Sequence, residues 1–258
     1  MFIWATDIHL NYFTDEYICN FGKALAKQYK AKGLIISGDI SLGNKLERNL
    51  KTLSSAVQMP IYYVLGNHDY WYSSFSEIDR LTDKLSADNS LIDLNKSFIK
   101  INEDTILIGF TGWYDCRFGK INSEISMSDW SKISDYKDQD PISVSQKRSS
   151  FYLSFKERAL SLQDLGVKNQ IIVTHFPPFK KLIKGKKDAK PFYGSSDSGN
   201  ILLSLANHYN KLICLSGHTH SKASYHLNNL SCYVGEACRG KPSLAGIIDD
   251  DTLEVKLL

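Results

Sequence analysis

Five of the seven histidines in this 258-residue chain fall in short polar clusters: Asp7-Ile8-His9, Gly66-Asn67-His68-Asp69, Thr174-His175 and Gly217-His218-Thr219-His220. Gly38-Asp39 is a further cluster, without a histidine. Imidazole with carboxylate and amide oxygen is the donor set of Zn, Mn, Fe or Ni, whereas Ca and Mg prefer all-oxygen cages. The clusters Asp7/His9, Asp39, Asn67/His68/Asp69, His175 and His218/His220 offer too many donors for one ion and suit two. A carboxylate can bridge two cations, and Asp39 is the natural bridge. Ions about 3.5–4 Å apart clamp the attacking and leaving oxygens of an in-line displacement. Water held between them ionises near neutral pH. That is machinery for moving a phosphoryl group to water.

Position makes the clusters a candidate site. Each follows a short apolar run: Phe2-Ile3-Trp4-Ala5, Leu34-Ile35-Ile36, Ile61-Tyr62-Tyr63-Val64-Leu65, Ile171-Ile172-Val173 and Leu212-Ile213-Cys214-Leu215. Such runs read as buried strands, and in open α/β sheets the ligand site lies beyond the strands' carboxyl ends. Alternation along an extended backbone would send Asp7 and His9 to the same side. Taken singly, Asp7 is a cap, Asp39 an Asx-turn residue, His175 a satisfied core histidine and Gly66-Asn67 a turn. Five clusters at five strand ends argue instead for one shared centre.

Between the strands the pattern is helical. Thr14 is an N-cap for a segment with Ile18, Phe21, Leu25 and Tyr29 on one face. Asn44 with Glu47 and Ser74 with Glu77 have capping-box spacing. They lead into the apolar stripes Leu46, Leu50, Leu53, Val57 and Phe75, Ile78, Leu81, Leu85. Residues 98–101 and 105–110 read as paired strands, and a helix with Phe155, Ala159 and Leu162 on one face begins near Ser150. The β-α-β-α-β order predicts an α/β fold, taken as a single domain over 1–258.

Two stretches break this order. Residues 111–149 are polar and turn-rich, with Trp113, Tyr114, Trp130 and Tyr136, and read as a lid, a binding excursion or a disordered loop. Residues 180–190 contain six lysines.

Composition sets the outer bounds. Hydrophobic content of 43% and charged content of 23% are those of an ordinary globular chain. A net charge of +3 is too small to argue for a nucleic-acid partner. No apolar run approaches the ~18 residues of a membrane span. No cleavable leader precedes the first strand, so a cytoplasmic protein is expected. The five cysteines form no CxxC pair and read as structural thiols.

Asp-x-His, Gly-Asp, Gly-Asn-His-Asp, a later His and Gly-His-x-His, in this order over Asp7 to His220, resemble the calcineurin-like metallophosphoesterase superfamily. The resemblance implies a four-layer α/β/β/α sandwich of two mixed sheets with a dinuclear metal site at the strand ends. It implies that Asp7, His9, Asp39 and His220 hold one metal, and that Asp39, Asn67, His175 and His218 hold the other. Mn is favoured among Mn, Fe, Zn and Ni. His68 would stabilise the transition state or protonate the leaving oxygen, and Asp69 would orient its imidazole or else stabilise the turn.

The superfamily acts on many phosphate esters, so substrate does not follow from family. Ile40-Ser41-Leu42-Gly43 lacks the Asp-Arg-Gly pattern of protein serine/threonine phosphatases, and His68 differs from the arginine of lipid A precursor hydrolases. Thr174-His175-Phe176-Pro177-Pro178 is loosely similar to bacterial cyclic-nucleotide phosphodiesterases. The expected reaction is hydrolysis of a phosphate ester, by preference a phosphodiester, by a metal-bridging hydroxide attacking in line. A nuclease acting on DNA or RNA is the alternative, and a non-catalytic scaffold the third reading. The expected partner is a phosphorylated small molecule. Lys181 with its loop either attracts an anion or is solvated surface. Trp113, Tyr114 and Arg117 either stack a base and hold a phosphate or anchor their loop. Arg239 is a candidate of the same kind.

Overall fold

A computed structural model describes residues 1–122, 124–185, 189–238 and 240–258. The chain begins with β1 (Phe2–Ala5), α1 (Asp15–Gln28), β2 (Leu34–Ser37), α2 (Leu46–Val57), β3 (Ile61–Val64), α3 (Phe75–Leu85) and β4 (Leu91–Asp93). The hairpin β5 (Phe98–Asn102) and β6 (Thr105–Gly109) follows, then the short helices α4 (Ser128–Lys132) and α5 (Pro141–Ser149). The remainder is α6 (Tyr152–Ser161), β7 (Asn169–Val173), α7 (Ser196–Ala206), β8 (Lys211–Ser216), β9 (Ala223–Leu227), β10 (Leu230–Val234), β11 (Leu244–Ile248) and β12 (Val255–Leu257).

The strands form two six-stranded sheets, ordered β12-β11-β1-β2-β3-β4 and β5-β6-β7-β8-β10-β9. Each is parallel in its centre and antiparallel at one or both margins. Period-two alternation divides the side chains of every strand between two faces. In β1, Ile3 and Ala5 pack under α1 and α2, whereas Phe2 and Trp4 face the second sheet. In the second sheet, Ile106, Ile172 and Cys214 face α6 and α7, while Leu107, Ile171 and Ile213 face back toward Trp4 and Val64. The layers are therefore helix, sheet, sheet, helix, as expected. Arg158 ties the sheets at one edge, where its guanidinium donates to the carbonyls of Leu94 (3.1 Å) and Gly109 (2.6 Å).

Local chemistry accounts for most of the boundaries. Thr14 accepts from the amide of Tyr17 at 3.3 Å, and Ser74 with Glu77 forms a complete capping box. The expected box at Asn44 and Glu47 does not form: a 3-10 turn over Gly43–Lys45 intervenes, and α2 starts at Leu46 without a side-chain cap. Its buried stripe of Leu46, Leu50, Leu53 and Val57 fixes the helix instead.

The 111–149 stretch is more structured than its composition suggested. It carries α4 and α5 and is anchored by buried Trp113, Tyr114 and Tyr136, with the Trp113 indole donating to the Tyr136 hydroxyl at 2.8 Å.

Candidate metal centre

The candidate ligands stand just past the strands, on backbone that has stopped being extended. Asp7, His9, Asp39, His218 and His220 have φ of 49°, 42°, 52°, 67° and 56°. Left-handed backbone costs a non-glycine residue of order 1–3 kcal/mol and persists where the surrounding structure imposes it. It corrects the simple alternation expected for Asp7 and His9. Strand β1 ends at Ala5, and both side chains reach the centre through a left-handed turn.

Two groups of metal-ligating side chains result: Asp7, His9, Asp39 and His220, and Asp39, His175 and His218. Within each group the donor atoms lie within 4.8 Å of one another, and Asp39 belongs to both. In the first, His220 Nε2 is 3.2 Å from Asp7 Oδ1 and 3.5 Å from His9 Nε2. In the second, Asn67 Oδ1 is 3.2 Å from His175 Nε2 and 3.1 Å from His218 Nδ1. The two ring nitrogens are 3.3 Å apart, and Asp39 Oδ1 is 3.4 Å from His175 Nε2.

The partners of these groups fix which atoms face inward. Asn67 Nδ2 donates to Asp129 at 2.8 Å, so the carbonyl end of the amide points at the histidines. His218 Nε2 lies 3.3 Å from the carbonyl of Phe192, which assigns the proton there and leaves Nδ1 a lone pair. His175 Nδ1 lies 2.9 Å from the carbonyl of Ser37 and must be protonated, so Nε2 is the inward atom.

The electrostatics ask for positive charge at this point. Burial disfavours an imidazolium at His175, yet Asp39 and Asp7 outweigh it and raise its pKa to about 9. Burial, together with His175, pushes His218 down to about 3. Asp39 is buried, which alone would raise its pKa, but His68 and His175 hold it well below the usual carboxylate range.

These donors fit divalent cations. Ligand atoms about 2.1 Å from one ion are about 3.0 Å apart at right angles and about 3.4 Å apart at the tetrahedral angle. The second group's spacings of 3.1–3.4 Å fall in that interval. Ions there would replace the proton that the carboxylates demand.

The calcineurin-like phosphoesterase family model matches residues 2–222. The chain belongs to that family. Its fold is similar to that of a phosphopantetheinyl hydrolase from Mycobacterium tuberculosis, with 13% identity, 92% of this chain and 88% of that one covered, and a TM-score of 0.68. A dimetal phosphatase from Danio rerio shares 14% identity over 91% of this chain and 86% of its own, with a TM-score of 0.56. The protein TT1561 of Thermus thermophilus shares 16% identity over 99% and 96%, also with a TM-score of 0.56. No functionally curated protein matches the sequence. The chain is thus a metal-dependent hydrolase of phosphoric esters, of a family that uses a dinuclear centre.

A cavity of about 360 Å³ opens over the phosphoesterase centre. His68 lines it without joining either ligand group, its Nε2 3.8 Å from Asp39 Oδ2 and its ring stacked on Trp71 at 3.5 Å. Asp69 does not orient it. The Asp69 carboxylate accepts instead from the amides of Ser41 (2.7 Å), Gly66 (2.8 Å) and Ile40 (3.2 Å), and His68 Nδ1 has no hydrogen-bond partner among the described residues. Burial and the neighbouring Asp39 raise Asp69 to about 7. Asp69 knots the loops after β2 and β3, which is the turn-stabilising role.

Three of the expected substrate contacts are not at this cavity. Trp113 is fully buried and presents no face for a base. Arg117 pairs with Asp197 on the surface, and Lys181 Nζ sits 4.9 Å from the Tyr225 ring. None of the three lines the cavity. Arg239 lies outside the described residues, as do Lys186 and Lys187 of the lysine-rich loop.

Sequence reasoning missed residues that do line it: Trp71, Met127, Ser128, Asp129 and Tyr193. Trp71 stands two positions after Asp69 and was discoverable from that adjacency. Asp129 carries no motif.

Proposed function

We propose that this phosphoesterase hydrolyses a small phosphodiester. Asp7, His9, Asp39 and His220 would hold one divalent ion, and Asp39, Asn67, His175 and His218 the other. The observation that carries this reading is the shared Asp39, whose Oδ2 lies 3.8 Å from His9 Nε2 while its Oδ1 lies 3.4 Å from His175 Nε2. Such a pair of ions, when bound, polarises a phosphate and makes water nucleophilic near neutral pH. Mn is preferred because carboxylate and amide oxygens accompany the imidazoles and no thiolate is present among these donors.

His68 supplies the proton. It borders the cavity beside the ligands, its side chain is 14% exposed, and it is not consumed as a ligand. A diester's alkoxide leaving group needs a proton, and an imidazole positioned there as a general acid meets that need. Burial lowers the His68 pKa to about 4, while Asp39 beside it opposes the shift by favouring the imidazolium. Cys19, Cys116, Cys214 and Cys232 carry free thiols, in agreement with a reducing, cytoplasmic setting.

The test is hydrolysis by chelated and Mn-reloaded protein. The panel contains aryl phosphate mono- and diesters, cyclic nucleotides, dinucleotides, glycerophosphodiesters and single-stranded DNA. A phosphopantetheinyl diester is added because one fold neighbour acts on that group. Metal-dependent turnover that favours a small diester is expected. A monoester or single-stranded DNA turned over in preference, or no activity with any divalent metal on folded protein, overturns the proposal.

A further inference from the structure

Asp129 lies 62 residues downstream of Asn67, in a stretch with no recognisable motif, yet its carboxylate is 1% exposed beside the metal centre. One oxygen, Oδ1, accepts two hydrogen bonds: from Asn67 Nδ2 at 2.8 Å and from the Trp71 indole at 2.7 Å. The other oxygen has no hydrogen-bond partner among the described residues. A buried carboxylate is an expensive way to brace a loop, even with the Tyr114 hydroxyl favouring its charged form, since an apolar residue of similar volume would do so without desolvating a charge.

The bond to Asn67 does something an apolar residue cannot. An amide side chain has a donor end and an acceptor end, and a flip would point Nδ2 at His175 and His218 and abolish ligation by Asn67. An ionised Asp129 is an acceptor only, so it holds the donor end outward and the carbonyl inward. A charged acceptor also makes a stronger hydrogen bond than a neutral one and increases the electron density on the opposite oxygen, as carboxylates do for metal-bound histidines.

The surrounding turn is built to hold this contact. Asp129 stands on α4, and the same helix places Lys132 Nζ 3.6 Å from the centre of the Trp71 ring. Backbone bonds clasp the two segments side by side, from Tyr72 N to Lys132 O (2.7 Å) and from Ser134 N to Ser73 O (2.9 Å). Phe75 N donates to Asp135 at 2.8 Å beyond them. Trp71 in turn stacks on His68, so one carboxylate reaches a candidate ligand directly and the candidate acid through an indole.

We propose that Asp129 is a positioning residue of the metal centre, fixing the amide of Asn67 and thereby the affinity of the ion held by Asp39, Asn67, His175 and His218. This rests on the dinuclear reading above. The experiment is Mn²⁺ titration of metal-free protein by calorimetry, with electron paramagnetic resonance to detect spin-coupled ions and a thermal melt to monitor the fold. Two Mn²⁺ are expected in the wild type. Asp129→Ala should weaken one site by about 10–100-fold, lose the coupled spectrum at limiting Mn²⁺, and leave the other site's affinity essentially unchanged. Asp129→Asn keeps an acceptor but loses the charge and gains a competing donor, so it should recover only part of that loss and leave the same one site measurably weaker than in the wild type. Trp71→Phe removes only the other donor and should leave both affinities near wild type.

Two unchanged sites in folded Asp129→Ala would overturn the proposal, as would equal weakening of both sites with a lowered melting point. If the alanine variant does not fold, Asp129→Asn decides: selective weakening of one site supports the proposal, and two unchanged sites overturn it. A wild-type protein that binds fewer than two Mn²⁺ overturns the dinuclear reading itself.

Discussion

Replacing His68 separates chemistry from metal binding more cleanly than any other single change. The side chain belongs to neither ligand group, and its Nδ1 makes no hydrogen bond that truncation would break. The hydrogen bond that ties His68 to the centre comes from its backbone amide, which donates to Asp39 Oδ1 at 2.9 Å and survives substitution, while the ring contributes only a longer approach of 3.8 Å to Asp39 Oδ2. Both ions should therefore remain in His68→Ala and His68→Asn, with Mn content by mass spectrometry equal to wild type. Losing the ring removes its stacking on Trp71, worth about 0.5–1.5 kcal/mol by the usual value for aromatic pairs.

The kinetic loss should be larger. A positioned general acid contributes about 10²–10⁴-fold, or roughly 3–5 kcal/mol of barrier. Leaving-group dependence identifies its origin. With bis(p-nitrophenyl) phosphate the aryl oxide departs without needing a proton, so kcat should fall little. With a dialkyl diester such as a glycerophosphodiester, or a cyclic nucleotide, the leaving group is an alkoxide and kcat should fall by the full factor. Equal losses on both leaving groups, or loss of metal along with activity, would refute the assignment of His68 as proton donor.

Two further outcomes follow from particular carboxylates. Asp39 belongs to both ligand groups, so Asp39→Ala should lose both ions by mass spectrometry, whereas His9→Ala should lose one; retention of a full ion in Asp39→Ala would remove it as the bridge. Asp93, in neither ligand group and 4% exposed, has its pKa raised by burial from 3.8 to about 6 despite a bond from the Asn95 amide. The folded state then binds more protons than the unfolded chain between these values, so this residue's contribution to stability falls as pH rises through that window. Asp93→Asn should be more stable than wild type at pH ~7 by about 1–3 kcal/mol, with the gain vanishing below pH ~4. A urea midpoint at neutral pH that is lower for Asp93→Asn than for wild type would contradict this.

What was legible in the sequence was whatever acts where it stands. Asp39, His175 and His218 are readable because each ends a buried apolar run, and a strand end has a fixed place in an α/β fold. The capping box at Ser74 is readable because its two partners are three residues apart; the equivalent spacing at Asn44 failed because the buried leucines of α2 set that helix start. Trp113 misled because an aromatic residue in a polar stretch looks the same whether it faces a ligand or the core. Asp69 misled because its three amide donors come from two loops, and its sequence neighbour His68 is not among its partners. Asp129 left no trace, since its hydrogen bonds are tertiary contacts, to Asn67 across 62 residues and to Trp71 across 58.

Neither sheet carries a complete set of the proposed ligands, and this explains why the fold is needed at all. Strands β1, β2 and β3 of one sheet lead to Asp7, His9, Asp39 and Asn67, while β7 and β8 of the other lead to His175, His218 and His220. Both proposed ligand sets draw on both sheets, so the apolar layer between them sets the spacing of the donors. Trp4, Ile35 and Val64 interlock there with Leu107, Ile171, Val173 and Ile213, and an interior packed at crystal density does not slide. Polar struts cross the same boundary: His175 Nδ1 meets the carbonyl of Ser37 at 2.9 Å, and the amide of His218 meets both oxygens of Asp7. Glycines make that approach possible. A Cβ on Gly66 would strike Asp39 and His175, and one on Gly217 would strike Thr6 and Asp7. Close packing brings the sheets together, and the missing side chains let their polar ends meet, so residues as far apart as Asp7 and His218, 211 positions, form one site.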